Sequence, residues 1–345
     1  MNHQIFMRRC MELALSGSGN VAPNPLVGSV LVRNNEIVAE GYHTHFGGAH
    51  AEVNAISKVR DQTVLKECTL YVNLEPCSHF GKTPPCSSLI IEKEIPIVVI
   101  SNKDPNPVVD GSGITKLRSA GIEVMVGVLE AEGLELNKRF FTSQIHKRPY
   151  IILKWAQSTD GFLAPENNSG ITWISNPSSR LLVHKWRGEE QAILIGRNTA
   201  LNDNPRLNVR GFKSTDPIRI LIDPMLDLPS SLHVFNDRAK TIIFNHSKNY
   251  TSGNLEYVKV PSGKNFISSL INELFLRSVQ SLIVEGGAIT LRSFIAEGMW
   301  DEMRVFTGNL SFEKGIKAPQ LPMIPSEKLC IDTDLLTIYR NINPA

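Results

Sequence analysis

His50-Ala51-Glu52, then Pro76-Cys77, then Cys86 after the eight-residue interval Ser78 to Pro85: the reading of this chain turns on these residues. One imidazole and two thiols suit a tetrahedral Zn2+, one per chain, that keeps a fourth position open. Water fills such a position, and zinc lowers its pKa towards about 7. Glu52 lies two residues beyond His50, at the start of an expected helix, where it reaches that water without ligating. It is therefore the candidate proton carrier. Cys86 is expected to open a helix, where free N–H groups favour thiolate, while Cys77 ends the preceding strand. A closed structural zinc site remains an alternative. It wants a fourth ligand, for which His79 is the nearby candidate, and it would leave Glu52 idle.

Outward from these residues, the pattern alternates between helix and strand. Residues 3–16 carry Phe6, Met7, Cys10, Met11, Ala14 and Leu15 at helical spacing. Residues 27–32 and 37–40 read as strands joined by Asn34-Asn35, a hairpin signal. Helix is expected over 51–59, strand over 68–73, helix over 86–94, strand over 97–101, helix over 114–120 and strand over 122–126. This order predicts a three-layer α/β domain. A polar helical stretch, 130–143, leads to a boundary at His146-Lys147-Arg148-Pro149, dividing 1–146 from 147–345. The second part alternates again. Strands are expected over 150–155, 192–195, 218–222, 241–244, 281–285 and 302–306, and helices over 178–187, 265–277 and 289–297. This makes a second α/β domain.

Bulk properties narrow the function classes. The 345 residues suit two cores, and the formal charge of +2 gives no basic field for nucleic acid. Apolar runs such as Ile97-Val98-Val99-Ile100 are far below the ~20 residues of a membrane helix. The N-terminus shows no apolar core with a small-residue cleavage site, so no signal peptide is expected. Five cysteines make a poor disulfide framework, and a reducing cytoplasm is the expected location.

His-x-Glu with a later Pro-Cys is the mark of zinc deaminases, except that two residues usually separate the cysteines. The longer insert here, Ser78-His79-Phe80-Gly81-Lys82-Thr83-Pro84-Pro85, resembles the deaminase domain of the bifunctional riboflavin-biosynthesis deaminase/reductases, within the cytidine deaminase-like fold. Pro23-Asn24-Pro25-Leu26-Val27-Gly28, Gly41-Tyr42-His43, Asp104-Pro105-Asn106-Pro107 and Gly111-Ser112-Gly113 extend the resemblance across the first half. The resemblance implies that Asn24 and His43 contact the pyrimidine. It also implies that Lys82, Asp104 and Asn106 approach the ribose phosphate. Taken alone, Asn24-Pro25 is a turn signal and the Asp104 stretch a plain loop.

The second half is less telling by itself. Glu285-Gly286-Gly287 follows an apolar strand and precedes a helix, where small residues let N–H groups approach a phosphate. The full Gly-x-Gly-x-x-Gly pattern is absent, and a lone Gly-Gly is usually a tight turn. Arg187, Arg206 and Arg210 are candidates for a sugar phosphate, or ordinary surface charges. Here too the chain resembles the same family, whose reductase domain has a dihydrofolate reductase-like α/β fold. The matching segments are Lys154 to Gly161, Trp173-Ile174-Ser175, Gly196 to Thr199, Asp203 to Leu207 and Val284 to Gly287. The resemblance implies that Ala156, Trp173, Thr199, Asp203 and the turn Gly287, Ala288, Ile289, Thr290, Leu291, Arg292 and Ser293 hold NADPH. It implies that Arg187, Leu207, Arg210 and Glu285 hold the substrate, and Lys154 is the candidate catalytic proton donor. Gly196 to Thr199 and Asp203 to Leu207 are expected to form a loop touching both ligands. Two departures stand out. Ile171 replaces a serine of the family, and Gly308-Asn309 with Phe312 replaces a proline-containing continuation.

The expectation is a bifunctional enzyme acting on a small phosphorylated pyrimidine, with zinc and NADPH, and without a nucleic-acid or membrane partner. A homo-dimer or tetramer through the second domain is implied by the resemblance. Two rivals stay open: a single-activity deaminase of RNA or a free nucleoside, and a non-catalytic zinc-stabilised interaction protein.

Overall fold

The computed structural model describes residues 2–78, 84–106, 109–166, 172–321 and 323–342. Lys82, His79, Pro107 and Ile171 lie outside the described residues. The chain divides into two compact units, Met1–Lys147 and Arg148–Ala345.

In the first unit, α1 (His3–Leu15) is followed by β1 (Gly28–Arg33), β2 (Glu36–Tyr42), α2 (Ala51–Ile56), β3 (Thr69–Leu74), α3 (Cys86–Glu92), β4 (Ile97–Asn102), α4 (Ser112–Ser119), β5 (Glu123–Val126), α5 (Glu130–Leu136) and α6 (Lys138–His146). The sheet order is β2-β1-β3-β4-β5, with β1 antiparallel to both neighbours and β3, β4 and β5 parallel. Alternation along the strands builds the three layers, because successive side chains point to opposite faces. Leu31, Leu70, Val72, Val98 and Ile100 pack with Ala55, Ile90 and Leu117. Val30, Val32, Tyr71 and Val99 point the other way, to Phe6, Met7 and Cys10 of α1. The β1–β2 hairpin turns on Asn34 and Asn35, both at positive φ (52° and 63°), the conformation that asparagine tolerates best after glycine. Ala39 of β2 packs on the α2 face, where Gly41 leaves no room for a side chain between strand and helix.

The expected single helical stretch over 130–143 is two helices, α5 and α6. Asn137 breaks them, with φ −105° and ψ 22°. Its side chain is buried. Its Oδ1 accepts from Leu26 N and its Nδ2 donates to Leu26 O. The local helical pattern gave no sign of this tertiary use of one asparagine.

The second unit contains β6 (Tyr150–Gln157), β7 (Phe162–Pro165), α7 (Pro177–Glu189), β8 (Ala192–Gly196), α8 (Arg197–Asp203), β9 (Ile218–Ile222), β10 (Thr241–Asn245), β11 (Tyr250–Ser252), β12 (Leu255–Lys259), α9 (Phe266–Leu276), β13 (Ser281–Val284), α10 (Ala288–Ala296), β14 (Glu302–Thr307), β15 (Gly315–Lys317), β16 (Glu327–Ile331) and β17 (Asp334–Arg340). Ten strands form one sheet in the order β11-β12-β10-β9-β8-β13-β6-β14-β17-β16, and β7 pairs with β15 apart from it. The central strands from β12 to β14 run parallel, so both faces are buried and the strands are near-continuously apolar. Ile151, Leu153, Leu194, Ile242 and Leu282 face α9 and α10, whereas Ile152, Ile193, Ile195 and Ile283 face α7 and α8.

One expectation is corrected here. Residues 197–203 are not a loop but the short helix α8, which starts directly from Gly196 at the end of β8. β7, β11, β12 and β15 to β17 were absent from the sequence reading. Most are short, or are edge strands of mixed polarity such as β16, whose residues are mostly exposed, while the seven-residue β17 mixes Asp334, Thr337 and Arg340 into its apolar run. A clean period of two is therefore missing from them.

Candidate active sites

The cluster that opened the sequence reading is assembled from three separated elements. His50 is the N-cap of α2, Cys86 is the first residue of α3, and Cys77 follows the exit of β3. His50 Nδ1 lies 3.3 Å from Cys86 Sγ and 3.6 Å from Cys77 Sγ. The three donor atoms all lie within 4.8 Å of one another, as a group holding one metal ion requires. The Cys86 backbone N–H donates to Cys77 Sγ at 3.3 Å. Contacts from Cys86, and then His50, lower the Cys77 thiol against the opposing effect of burial, while the same Cys77–Cys86 contact raises Cys86, so one thiolate is shared across the pair. His50 is raised to about 9, chiefly by Cys77. Imidazole nitrogen plus thiol donors that can shed protons form a soft, zinc-suited donor set. The residues present fit the metal.

Glu52 is buried inside α2, and burial is the main cause pushing its carboxyl above the usual range. His43 follows β2. Its Nδ1 meets the Ala49 carbonyl at 3.0 Å, and since a carbonyl only accepts, Nδ1 carries the proton. Nε2 is then the acceptor facing Asn24 Nδ2 at 3.0 Å. Burial lowers the His43 pKa, which keeps the ring neutral in this role. Its ring lies edge-on to His50, centroids 5.7 Å apart. Asn24, His43 and His50 thus form a continuous cluster. Asp104 and Asn106 follow β4, and Asp104 Oδ1 accepts from Asn106 N at 2.8 Å.

Two residues that the sequence reading passed over hold this site together. Asn73 accepts from Gly28 N (2.7 Å) and donates to Leu26 O (2.9 Å), fixing the segment after Asn24. The buried Glu75, two residues before Cys77, accepts four backbone N–H groups. A polar residue at the end of an otherwise apolar strand was the available signal for both.

In the second unit, Lys154 of β6, Arg187 in the last turn of α7 and Glu285 after β13 converge. Arg187 grips Glu285 with two parallel bonds, Nε to Oε1 at 2.8 Å and Nη2 to Oε2 at 2.7 Å. Lys154 Nζ is 3.8 Å from Oε2. Burial pushes Glu285 upward, but Arg187 and then Lys154 outweigh it and hold the carboxyl at about 2. Burial also lowers the Lys154 pKa, which Glu285 partly restores. Arg210 Nε is 3.2 Å from His184 Nε2, so Arg210 stands beside this group rather than in it. Leu207 sits at positive φ (53°) with its side chain in the core, leaving its backbone as the part able to meet a ligand.

The strand ends β8 and β13 come together over glycine. A Cβ on Gly286 would lie 2.5 Å from Gly196 N. A Cβ on Gly196 would overlap Thr290 Oγ1, and one on Gly287, at φ +41°, would come 3.1 Å from Thr199 Oγ1. Thr199, Gly287 and Thr290 therefore meet where α8 and α10 begin, and the first-turn N–H groups of a helix lack intrahelical partners and suit a phosphate. This arrangement fits a dinucleotide, and Ala288 opens α10 there. Along α10, Ile289 is exposed, Arg292 donates to Lys317 O, Ser293 donates to Ile289 O, and Leu291 points into the core. Ala156 pairs with Phe306 on the neighbouring strand, Trp173 is exposed beneath the Arg180 guanidinium, and Asp203 is exposed at the end of α8.

Comparison with known proteins follows the same division. Residues 1–102 match the cytidine and deoxycytidylate deaminase zinc-binding region, and residues 149–310 match the RibD C-terminal domain. The riboflavin biosynthesis protein RibD of Aquifex aeolicus is 42% identical over 322 residues, covering 92% of this chain and 89% of that protein. The chain belongs to the RibD family. RibD of Escherichia coli K12 is 34% identical, covering 89% of this chain and 87% of its own length. A crystal structure of a diaminohydroxyphosphoribosylaminopyrimidine deaminase/5-amino-6-(5-phosphoribosylamino)uracil reductase from Thermotoga maritima shares 36% identity, covers 98% of both chains and superposes with a TM-score of 0.89. As a RibD, the chain is a bifunctional deaminase and reductase of riboflavin biosynthesis that uses zinc and NADPH. Its architecture is a cytidine deaminase-like domain with a dihydrofolate reductase-like one. No helix among the described residues is long and apolar enough to cross a membrane.

Proposed function

We propose that the first unit, close to the expected 1–146, hydrolyses an exocyclic amine of 2,5-diamino-6-(5-phosphoribosylamino)pyrimidin-4-one, and that the second, close to 147–345, reduces the ribosyl group of the product to ribityl. The observation that carries this reading is the convergence of His50, Cys77 and Cys86 within 4.8 Å, beside the buried Glu52. His50, Cys77 and Cys86 would hold the zinc, which when bound makes water acidic and polarises the reacting centre. Glu52 takes a proton from the attacking water and delivers it to the ring and the departing ammonia. Its burial supports this role, because a carboxyl raised towards neutrality both accepts and returns protons. Asn24 presents its amide to the pyrimidine and is oriented by neutral His43. Lys82, Asp104 and Asn106 are assigned to the phosphoribosyl end.

In the second unit, Glu285 and Arg187 hold the substrate, with Arg210 and the Leu207 backbone. NADPH, when bound, supplies the hydride. Ala156, Trp173, Thr199, Asp203 and residues 287–293 are assigned to it, supported by the glycine-lined junction of α8 and α10. Lys154 is positioned by Glu285 and gives a proton to the sugar oxygen as hydride arrives at carbon. Burial lowers the Lys154 pKa, which eases that transfer. A cytoplasmic homo-oligomer without nucleic-acid partners completes the reading, consistent with the near-neutral charge.

Purified protein given the diaminopyrimidine phosphate, with ammonia release and NADPH oxidation followed separately, tests it. Both signals are expected. Ammonia without NADPH use overturns the second assignment, and neither signal in zinc-loaded protein overturns both.

A further inference from the structure

Three contacts flank Cys77 in sequence and attach its segment to the start of α4. Glu75, buried like the core around it, accepts Asp104 N at 3.2 Å and Gly111 N at 3.1 Å on Oε2. On Oε1 it accepts Gly113 N at 3.0 Å and Ile114 N at 3.2 Å. Gly113 packs so tightly on the Pro76 carbonyl that any Cβ there would overlap it. Ser78 Oγ meets Ser112 Oγ at 2.6 Å. Four N–H groups on one desolvated carboxylate are charge-assisted bonds, stronger than neutral ones. Two of them come from the first turn of α4, where the helix dipole adds to the attraction. Glu75 therefore fixes one geometry between two things: the strand exit that delivers Cys77, and the turn that carries Asp104 and Asn106.

We infer that Glu75 is a positioning residue for deamination, setting where the phosphoribosyl end of the substrate is held relative to the metal ligands. It reaches neither metal nor substrate and acts through the backbone of Asp104 and the α4 start. The inference rests on the assignment of Asp104 and Asn106 to the substrate.

The expected signature is a split between KM and kcat. Glu75→Gln places an amide N–H against backbone N–H groups and loses about half the bonds. The deaminase KM is expected to rise about tenfold, on the scale of one to two buried hydrogen bonds. kcat should stay within about twofold, because the bonds lost lie outside the reacting atoms. Zinc content stays at one per chain, and reductase kinetics do not change. Glu75→Asp keeps the charge but shortens the reach, so it gives a smaller KM rise and remains informative if the glutamine variant does not fold. Asn106→Ala is the control for the underlying assignment. If Asn106→Ala leaves KM unchanged, the substrate assignment fails. If it raises KM while both Glu75 variants leave KM at the native value, the positioning role alone is overturned. Loss of zinc and kcat at unchanged KM in the Glu75 variants also overturns it, since Glu75 would then merely support the metal ligands.

Discussion

Two buried glutamates, one in each unit, are shifted in opposite directions. Glu52 is pushed above the usual carboxyl range by burial, with His50 the main opposing influence. Glu285 is nearly as enclosed, with its side chain 9% exposed, yet it is held at about 2 because Arg187 and Lys154 outweigh the burial. Burial alone therefore does not set a carboxyl's chemistry; the charges packed against it do. A carboxyl lifted towards neutrality suits proton transfer. One locked into ionisation suits binding and orientation. On the proposed function the two units use the same side chain for different tasks, and that contrast can be tested.

The largest effect is expected from the metal ligands. Cys86→Ser, or removal of zinc by a chelator, should abolish ammonia release. NADPH oxidation on already deaminated substrate should stay at the native rate, because the charge network around Glu285 involves no metal. Loss of both activities on chelation would break the contrast. Next is Glu52→Gln, which should lower the deaminase kcat by about two to four orders of magnitude. Zinc should be retained in metal analysis, since Glu52 is not among the three converging donors. An active glutamine variant would leave Glu52 without its proton-carrying role.

In the second unit, Arg187→Met leaves a buried carboxylate with Lys154 alone at 3.8 Å. Breaking a buried pair this way costs about 3–5 kcal/mol, to be read from urea unfolding of the second unit at pH 7. The same variant should not change zinc content. The pH dependence sharpens the point. Glu285 sits at about 2 in the folded state against an ordinary 4.5, so the unfolded chain binds its proton more tightly. Its contribution to stability is complete above pH 4.5 and is lost as pH falls towards 2. The urea midpoints of native protein and Glu285→Gln should therefore converge over that interval. A constant gap would mean that Glu285 is not held ionised. The smallest effect belongs to Gly286→Ala, whose methyl would lie 2.5 Å from Gly196 N. It should cost about 1–3 kcal/mol as the strand ends part, with a weaker NADPH Kd and unchanged deamination.

The convergence of His50, Cys77 and Cys86 was legible in the chain because metal chemistry restricts residue type so narrowly. Few arrangements other than His-Ala-Glu with Pro-Cys and a later Cys satisfy it. The central strands were legible for a similar reason, since burial on both faces demands unbroken apolar runs such as residues 97–100 and 281–284. α8 was hidden because Arg197-Asn198-Thr199-Ala200 has no apolar stripe of its own and takes its helical form beside β8. Glu75, Asn73 and Asn137 were hidden because their partners are backbone groups far along the chain. A backbone amide carries no sequence signal.

Residue chemistry and local periodicity alone reached the three converging donors His50, Cys77 and Cys86 and the alternating α/β order. These depend on properties that each side chain carries with it. Which glutamate is lifted and which is held down, which asparagine ends a helix, and which strand exit is tied to which turn are matters of neighbours. They follow from distances of about 3 Å between residues up to 111 positions apart, as between Leu26 and Asn137. Electrostatic and hydrogen-bond energies fall off over such distances, so only the folded arrangement could settle them.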